Sequence, residues 1–210
     1  MTLDAAGARQ HLEALPHGHD SKEIAMVPLG ALVFPIVLSA VLVFVLSSVI
    51  HMLLSYHHRD YAPLPNEDAV RAALRSGKPA PGQYVIPYCE PKQMGSPENI
   101  QKQTEGPVAV LNLKAAGPFR MGPSLLQWFV FALVVSAFLA YLAGRALPAG
   151  TPYLEVFRLV GTAGFLAYAA GQIPAAIWMG KPWSVAWKEV FDGLLYGLVT
   201  AGAFGWLWPR

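Results

Sequence analysis

Apolar residues in this chain gather into four long blocks separated by short polar stretches and one long one. The first, residues 28–54, has no Asp, Glu, Lys or Arg and exceeds the roughly 20 residues a helix needs to cross a bilayer. Pro35 lies about two turns in and predicts a kink. The second block, residues 125–147, carries Arg145 near its end, where a long side chain reaches the interface. The third opens at Thr151-Pro152, a cap followed by Pro at the first helical position, and runs to Trp178. Glu155 and Arg158 occupy its first two turns. The fourth begins at Ser184 and ends at Trp208. Lys188, Glu189 and Asp192 occupy its first turns, so its hydrocarbon part starts at Gly193.

Three of the blocks place a small residue at every fourth position. The sets are Ala132, Ser136, Ala140 and Gly144; Ala163, Ala167, Gly171 and Ala175; and Gly193, Gly197, Ala201 and Gly205. In lipid there is little hydrophobic drive for helices to meet, and small residues at this spacing let backbones approach until dispersion holds them. Spans two to four are therefore expected to form a tight core. The first span has Ser39, Ser47 and Ser48 but no such set. It is expected either at the edge, facing a partner, or as an ordinary Leu/Val helix in the same bundle. All six tryptophans (Trp128, Trp178, Trp183, Trp187, Trp206 and Trp208) fall near predicted span ends, as in an interfacial aromatic belt.

The long polar stretch, residues 55–124, is too long for a simple connection. Asn66 reads as an N-cap, with Ala69, Val70, Ala73 and Leu74 on one helical face and Gly77 after the end. Residues 83–88 read as a strand, Ser96-Pro97 as the start of a helix that stops at Gly106, and residues 108–113 as a second strand. Two strands do not support themselves in water. This small α/β insert is expected to dock on the bundle, on a partner or on a second copy.

Composition agrees with the spans. The 210 residues are 54% hydrophobic and 13% charged, about half the charged fraction of an ordinary soluble domain. Mean hydropathy is +0.40. A net charge of +2 gives no support for nucleic-acid binding. Residues 1–27 form a polar tail, too acidic for a secretory signal and expected to be flexible. Near the spans, Arg59, Lys114, Arg120, Lys181 and Lys188 lie on the insert side, against Lys22, Arg145, Arg158 and Arg210 on the side of the termini. The positive-inside rule then places the insert in the cytoplasm and both termini outside, in the periplasm of a bacterial inner membrane.

Candidate chemistry is sparse. No Ser/His/Asp order, phosphate loop or paired-metal spacing is present, and no catalytic residue is expected. Ser124 reads as a helix cap. His17-Gly18-His19 lies in the tail and has the donors for a divalent ion. His51 and His58 are seven apart, about 10.5 Å of rise on a continuous helix, too far to share one ion. His57 or His58 with Cys89, Met94 and Met121 would supply imidazole, thiolate and thioether donors suited to Cu(I). Cys89-Glu90-Pro91-Lys92-Gln93-Met94 matches no ligand spacing, and Cys89 and Met94 are more often plain packing residues. No cofactor is expected, copper being the alternative.

The runs Tyr56-His57-His58-Arg59-Asp60-Tyr61, Leu64-Pro65-Asn66-Glu67-Asp68, Met94-Gly95-Ser96-Pro97-Glu98, Phe191-Asp192-Gly193-Leu194-Leu195-Tyr196 and Trp206-Leu207-Trp208-Pro209-Arg210 carry a resemblance. Together they resemble an uncharacterised family of small multi-pass bacterial inner-membrane proteins, over nearly everything after Pro28. The resemblance implies a membrane location and brings no activity, cofactor or site residue. The expectation from the sequence is an α-helical integral membrane protein with four transmembrane helices and a small α/β insert between the first and second. Its expected role is a non-catalytic accessory, assembly or structural subunit, with the lipid bilayer and a membrane-protein partner or second copy as its contacts. Copper handling is the alternative, and a transporter or membrane enzyme comes third.

Overall fold

Proline and glycine set the lengths and breaks of the helices in the computed structural model, which describes residues 26–210. The polar tail, with His17 and His19, lies outside the described residues apart from its last two positions. Helix α1 (Leu29–Leu53) opens with a 3₁₀ turn at Leu29–Leu32, ahead of Pro35, continues as an α-helix, and ends in a π-helical turn at Val49–Leu53. The insert follows: α2 (Glu67–Gly77), β1 (Gly82–Ile86), α3 (Pro97–Glu105) and β2 (Ala109–Leu113). Then come α4 (Met121–Ala146), α5 (Tyr153–Ala169), α6 (Gln172–Met179) and α7 (Trp183–Trp206). The predicted third span is interrupted at Ala170–Gly171. Pro174 explains the position: it removes one helical N–H, and its ring clashes with the carbonyl four residues back, that of Ala170. Ser124 lies inside α4 rather than capping it, because the helix begins three residues earlier.

The described residues are 68% helical, with one two-stranded sheet among them. Three of their stretches are long and apolar enough to cross a membrane: Leu29–Leu53, Met121–Ala146 and Tyr153–Met179. The fourth predicted span, α7, is a continuous helix of 24 residues but is not among them. Outward faces of α1 and α4 are apolar, with Phe34, Val45, Leu126 and Phe138 exposed.

The four long helices form a closed circuit in which α1 touches α4 and α7, and α5 touches α7 and, more loosely, α4. This differs from a tight core of spans two to four. The α4 set Ala132, Ser136, Ala140 and Gly144 is buried, and it meets the first helix. Ser39 Oγ donates to Ser136 Oγ at 2.9 Å, and a Cβ on Gly144 would lie 2.6 Å from the Val27 carbonyl oxygen. The α7 set packs on α5: a Cβ on Gly193 would meet Ala169 at 2.7 Å, and one on Gly205 would meet the Tyr153 ring at 2.7 Å. Opposite Gly197 and Ala201 the α5 partners are Gly161, Gly164 and Phe165, not the Ala163 set. Ala167 and Gly171 are exposed, and a Cβ on Gly171 would meet nothing within 4 Å. A four-residue stripe identifies a helix face without saying what that face meets, and here two of its members border a cavity.

In the insert, β1 and β2 pair antiparallel from Gly82↔Leu113 to Ile86↔Ala109. Ser96 caps α3 by accepting from Asn99 N at 3.2 Å. Asn66 instead takes a left-handed conformation (φ 54°) and makes no side-chain cap. None of the four insert elements has an extended contact with a bundle helix. Every residue of β1 is exposed, and α2 buries none. The free fragment 55–124 is therefore expected to be unfolded, because so little apolar surface opposes roughly 1–2 kcal/mol of backbone entropy per residue. A cooperative melt or dispersed amide spectrum from the fragment would refute this.

Candidate metal centre

The insert-side end of the bundle gathers most of the ionisable side chains held by the helices. The π-helical turn ends α1, and Leu54 turns extended, so the helix does not run on to His58. A short 3₁₀ turn at Ser55–His57 follows and folds back, stacking the His51 and His57 rings with centroids 4.5 Å apart. Helical spacing cannot foresee this pair. π-turns change the angular phase of the residues after them and recur at functional sites.

Asp192, on α7, is the centre of the cluster, its side chain only 3% exposed. It accepts a hydrogen bond from the Tyr56 hydroxyl and faces His57 Nε2 at 2.8 Å. His51 Nε2 lies 4.0 Å from the same carboxylate oxygen, Oδ2. The other nitrogen of His57, Nδ1, lies 2.5 Å from Asp60 Oδ2. Lys188 Nζ donates to Asp60 Oδ1 at 2.5 Å and to the Tyr56 carbonyl at 2.6 Å. Burial pushes the Asp60 carboxyl upward, but the bonds from Lys188 and His57 outweigh it and hold its pKa below the usual range. Burial, and next the hydrogen bond to Asp192, push the Tyr56 hydroxyl up, so it stays a donor. Lys181 also pairs with Glu189 and donates to Gln172 Oε1 at 3.0 Å.

The ring of His57 presents a proton problem. With Nδ1–H donating to Asp60, the neutral ring offers Nε2 as a lone pair, and that lone pair faces a carboxylate oxygen at 2.8 Å. Two acceptors at that distance require a cation between them, either a proton or a metal ion. His51 supplies a third donor nearby, and its ring contact with the Tyr196 hydroxyl is long, at 3.5 Å. His51, His57 and Asp192 place one donor atom each within 4.8 Å of one another. Two imidazoles and one carboxylate form a donor set for zinc or iron(II), with positions left over for water or another ligand. An ion about 2.0–2.2 Å from each donor requires a separation of about 3–4 Å between them. The 4.0 Å approach of His51 to Asp192 falls within that range, and the 2.8 Å approach of His57 lies just below it, at hydrogen-bond length. Around this set, Asp60 orients His57 and Lys188 orients Asp60, the outer arrangement typical of metal-bound histidines.

A cavity of about 460 Å³ opens on the triad and shares His51 and Asp192 with it. Four of its aromatic residues form a circuit with neighbouring ring centroids 5.5, 6.1, 5.6 and 5.9 Å apart, in the order Trp128, Phe131, Tyr168, Tyr196. Trp128, read from the sequence as part of an interfacial belt, lines this wall and donates to Ser47 Oγ at 2.7 Å. Trp178, Trp183, Trp187 and Trp206 are exposed, while Trp208 is buried and donates to the Pro148 carbonyl at 3.0 Å.

The soft-donor candidates are dispersed. His57 joins the triad, and His58 is exposed. Cys89 lines a separate cavity of about 140 Å³ in the insert, beside Ser96, Asn99 and Lys102. Met94 is exposed. Met121 borders another cavity, of about 400 Å³, together with Ser47, His51 and Trp128.

Comparison of the chain with protein families, with curated proteins and with solved structures finds no match. The functional reading therefore rests on the site itself.

Proposed function

We propose that the chain is a four-span membrane protein that holds one divalent transition-metal ion on His51, His57 and Asp192. The observation that carries this reading is the short approach of His57 Nε2 to Asp192 Oδ2, with His57 Nδ1 already committed to Asp60 and His51 beside both. A proton would satisfy two of these groups; a metal ion uses all three. Nitrogen and oxygen donors favour zinc, iron or manganese over Cu(I). Tag-free full-length protein, purified from membranes, is expected to carry about one such ion per chain by elemental mass spectrometry. His51→Ala removes a half-exposed donor and should abolish stoichiometric binding. Asp60→Asn, acting only through the orientation of His57, should weaken affinity about 10–100-fold. Cys89→Ser with Met94→Leu should change nothing. Protein without metal, or metal retained in His51→Ala, would refute the site. Copper lost on the Cys89/Met94 replacement would restore the soft-donor alternative.

A second reading, favoured by the uncovered insert, is an accessory or assembly subunit of a membrane complex. Val70 on α2, Tyr84, Val85 and Ile86 on β1, and Val108 ahead of β2 are exposed and have no bundle surface beneath them. A bacterial inner-membrane location, with the insert cytoplasmic, follows from the resemblance and the Lys/Arg asymmetry. The two readings are compatible: a metal-bearing subunit can present its insert to a neighbour.

A further inference from the structure

We infer that the cavity beside the triad binds one single-chain amphiphile with a carboxylate head, its tail leaving through the seam between α4 and α5. The inference rests on the metal reading for the charge of the site. The volume, about 460 Å³, falls within the roughly 300–1,000 Å³ of small-molecule sites. Its lining is divided along the helix axes. Towards the insert it is polar, with His51, Gln172, Glu189 and Asp192. About one turn deeper along α4 and α5 it is apolar, with Phe131 and Ala167. That division suits a molecule with one polar end.

The way in is lateral. Helices α4 and α5 are the most loosely packed neighbours in the four-helix circuit. On the α5 side of this seam, Ala167 and Gly171 are exposed and small, and Phe131 on the α4 side is 43% exposed. All three line the cavity. These helices are apolar enough to lie in a membrane, so the seam faces the acyl chains and admits a tail without passing it through water.

Charge selects the head. A divalent ion with Asp60, Asp192 and Lys188 leaves one net positive charge, Lys181 and Glu189 cancelling each other. A monoanionic head neutralises it, whereas a quaternary ammonium adds to it. Carboxylate oxygen is also a good ligand for the open positions of an ion held by two histidines and an aspartate.

The test uses radiolabelled palmitate and the full-length protein in a neutral maltoside detergent, with metal content read on the same samples. Wild type is expected to bind about one palmitate per chain, in competition with unlabelled palmitate and not with hexadecyltrimethylammonium. Gly171→Trp places bulk where a Cβ meets nothing within 4 Å, so it should fold and fill the cavity. Ala167→Phe fills it from one turn deeper. Both should weaken palmitate binding at least tenfold and leave the metal in place. Unchanged palmitate binding in both filled variants, or stronger competition by the ammonium, overturns the inference while the metal reading stands. Palmitate bound and blocked by both fillings in protein that holds no metal overturns the metal reading and the charge argument built on it, and supports the cavity as the tail's site.

Discussion

Asp192→Ala is expected to destabilise the protein by about 3–5 kcal/mol, the range for removing one partner of a buried ionic network. The Asp192 side chain is 3% exposed and accepts from Tyr56. Its removal leaves the Tyr56 hydroxyl without its acceptor, and His57 keeps only Asp60. Two segments then lose their tie, since Tyr56 and His57 follow α1 while Asp192 is on α7. For a chain of this size each kcal/mol corresponds to about 2–4 °C, so the melting temperature in detergent should fall by on the order of 10 °C. Measuring with a chelator present removes the contribution of any bound ion. Asp192→Asn keeps the shape and one acceptor, and should recover part of the loss. A melting temperature for Asp192→Ala within about 2 °C of wild type would show that the cluster contributes little to stability.

Gly197→Leu is the second large effect. A Cβ at this position would lie 2.8 Å from Phe165 N and 3.2 Å from the Gly161 carbonyl oxygen. Both neighbours are backbone atoms of α5, so no rotamer change relieves the clash and the helices must separate. Overpacking of this kind costs about 1–3 kcal/mol, and the rigid partner puts the result at the upper end. Leu198, the next residue, is 41% exposed, and Leu198→Ala should cost much less. Equal melting temperatures for the two variants would remove the close-packing account of the α5–α7 contact.

Most of the framework was legible in the sequence because it follows local rules. The apolar blocks located the long helices, and the Ser96 cap and the ends of the two strands fell within a few residues of the structure. On α7, Gly193, Gly197 and Gly205 meet backbone or ring atoms of α5. The α5 residues they meet are less legible: Gly161, Gly164 and Phe165 do not form a four-residue series of small residues, while the Ala163 stripe that does form one borders a cavity. Of the proposed metal site, only His57 is among the candidate ligands in the sequence. The spacing that separates His51 from His58 holds for a continuous helix, and the π-turn ends that continuity. Asp192 reads in the sequence as one of the charges outside the hydrocarbon, and nothing local distinguishes it from Lys188 and Glu189. The runs around Tyr56 and Asp192 had both carried the family resemblance, but 136 residues separate the two partners and no local pattern brings them together.

The 3₁₀ turn after α1 has a thermodynamic consequence. His57 and Asp60 lie in the segment by which the insert leaves the bundle, and they also form the inner and outer shells of the proposed metal site. The insert has no other extended hold on the helices. A protein that grips the insert and reorients this segment therefore changes the affinity for the ion, and the ion changes the affinity for that protein by the same factor. Metal occupancy and assembly would then be linked equilibria, with the segment from Tyr56 to Asp60 as the coupling element.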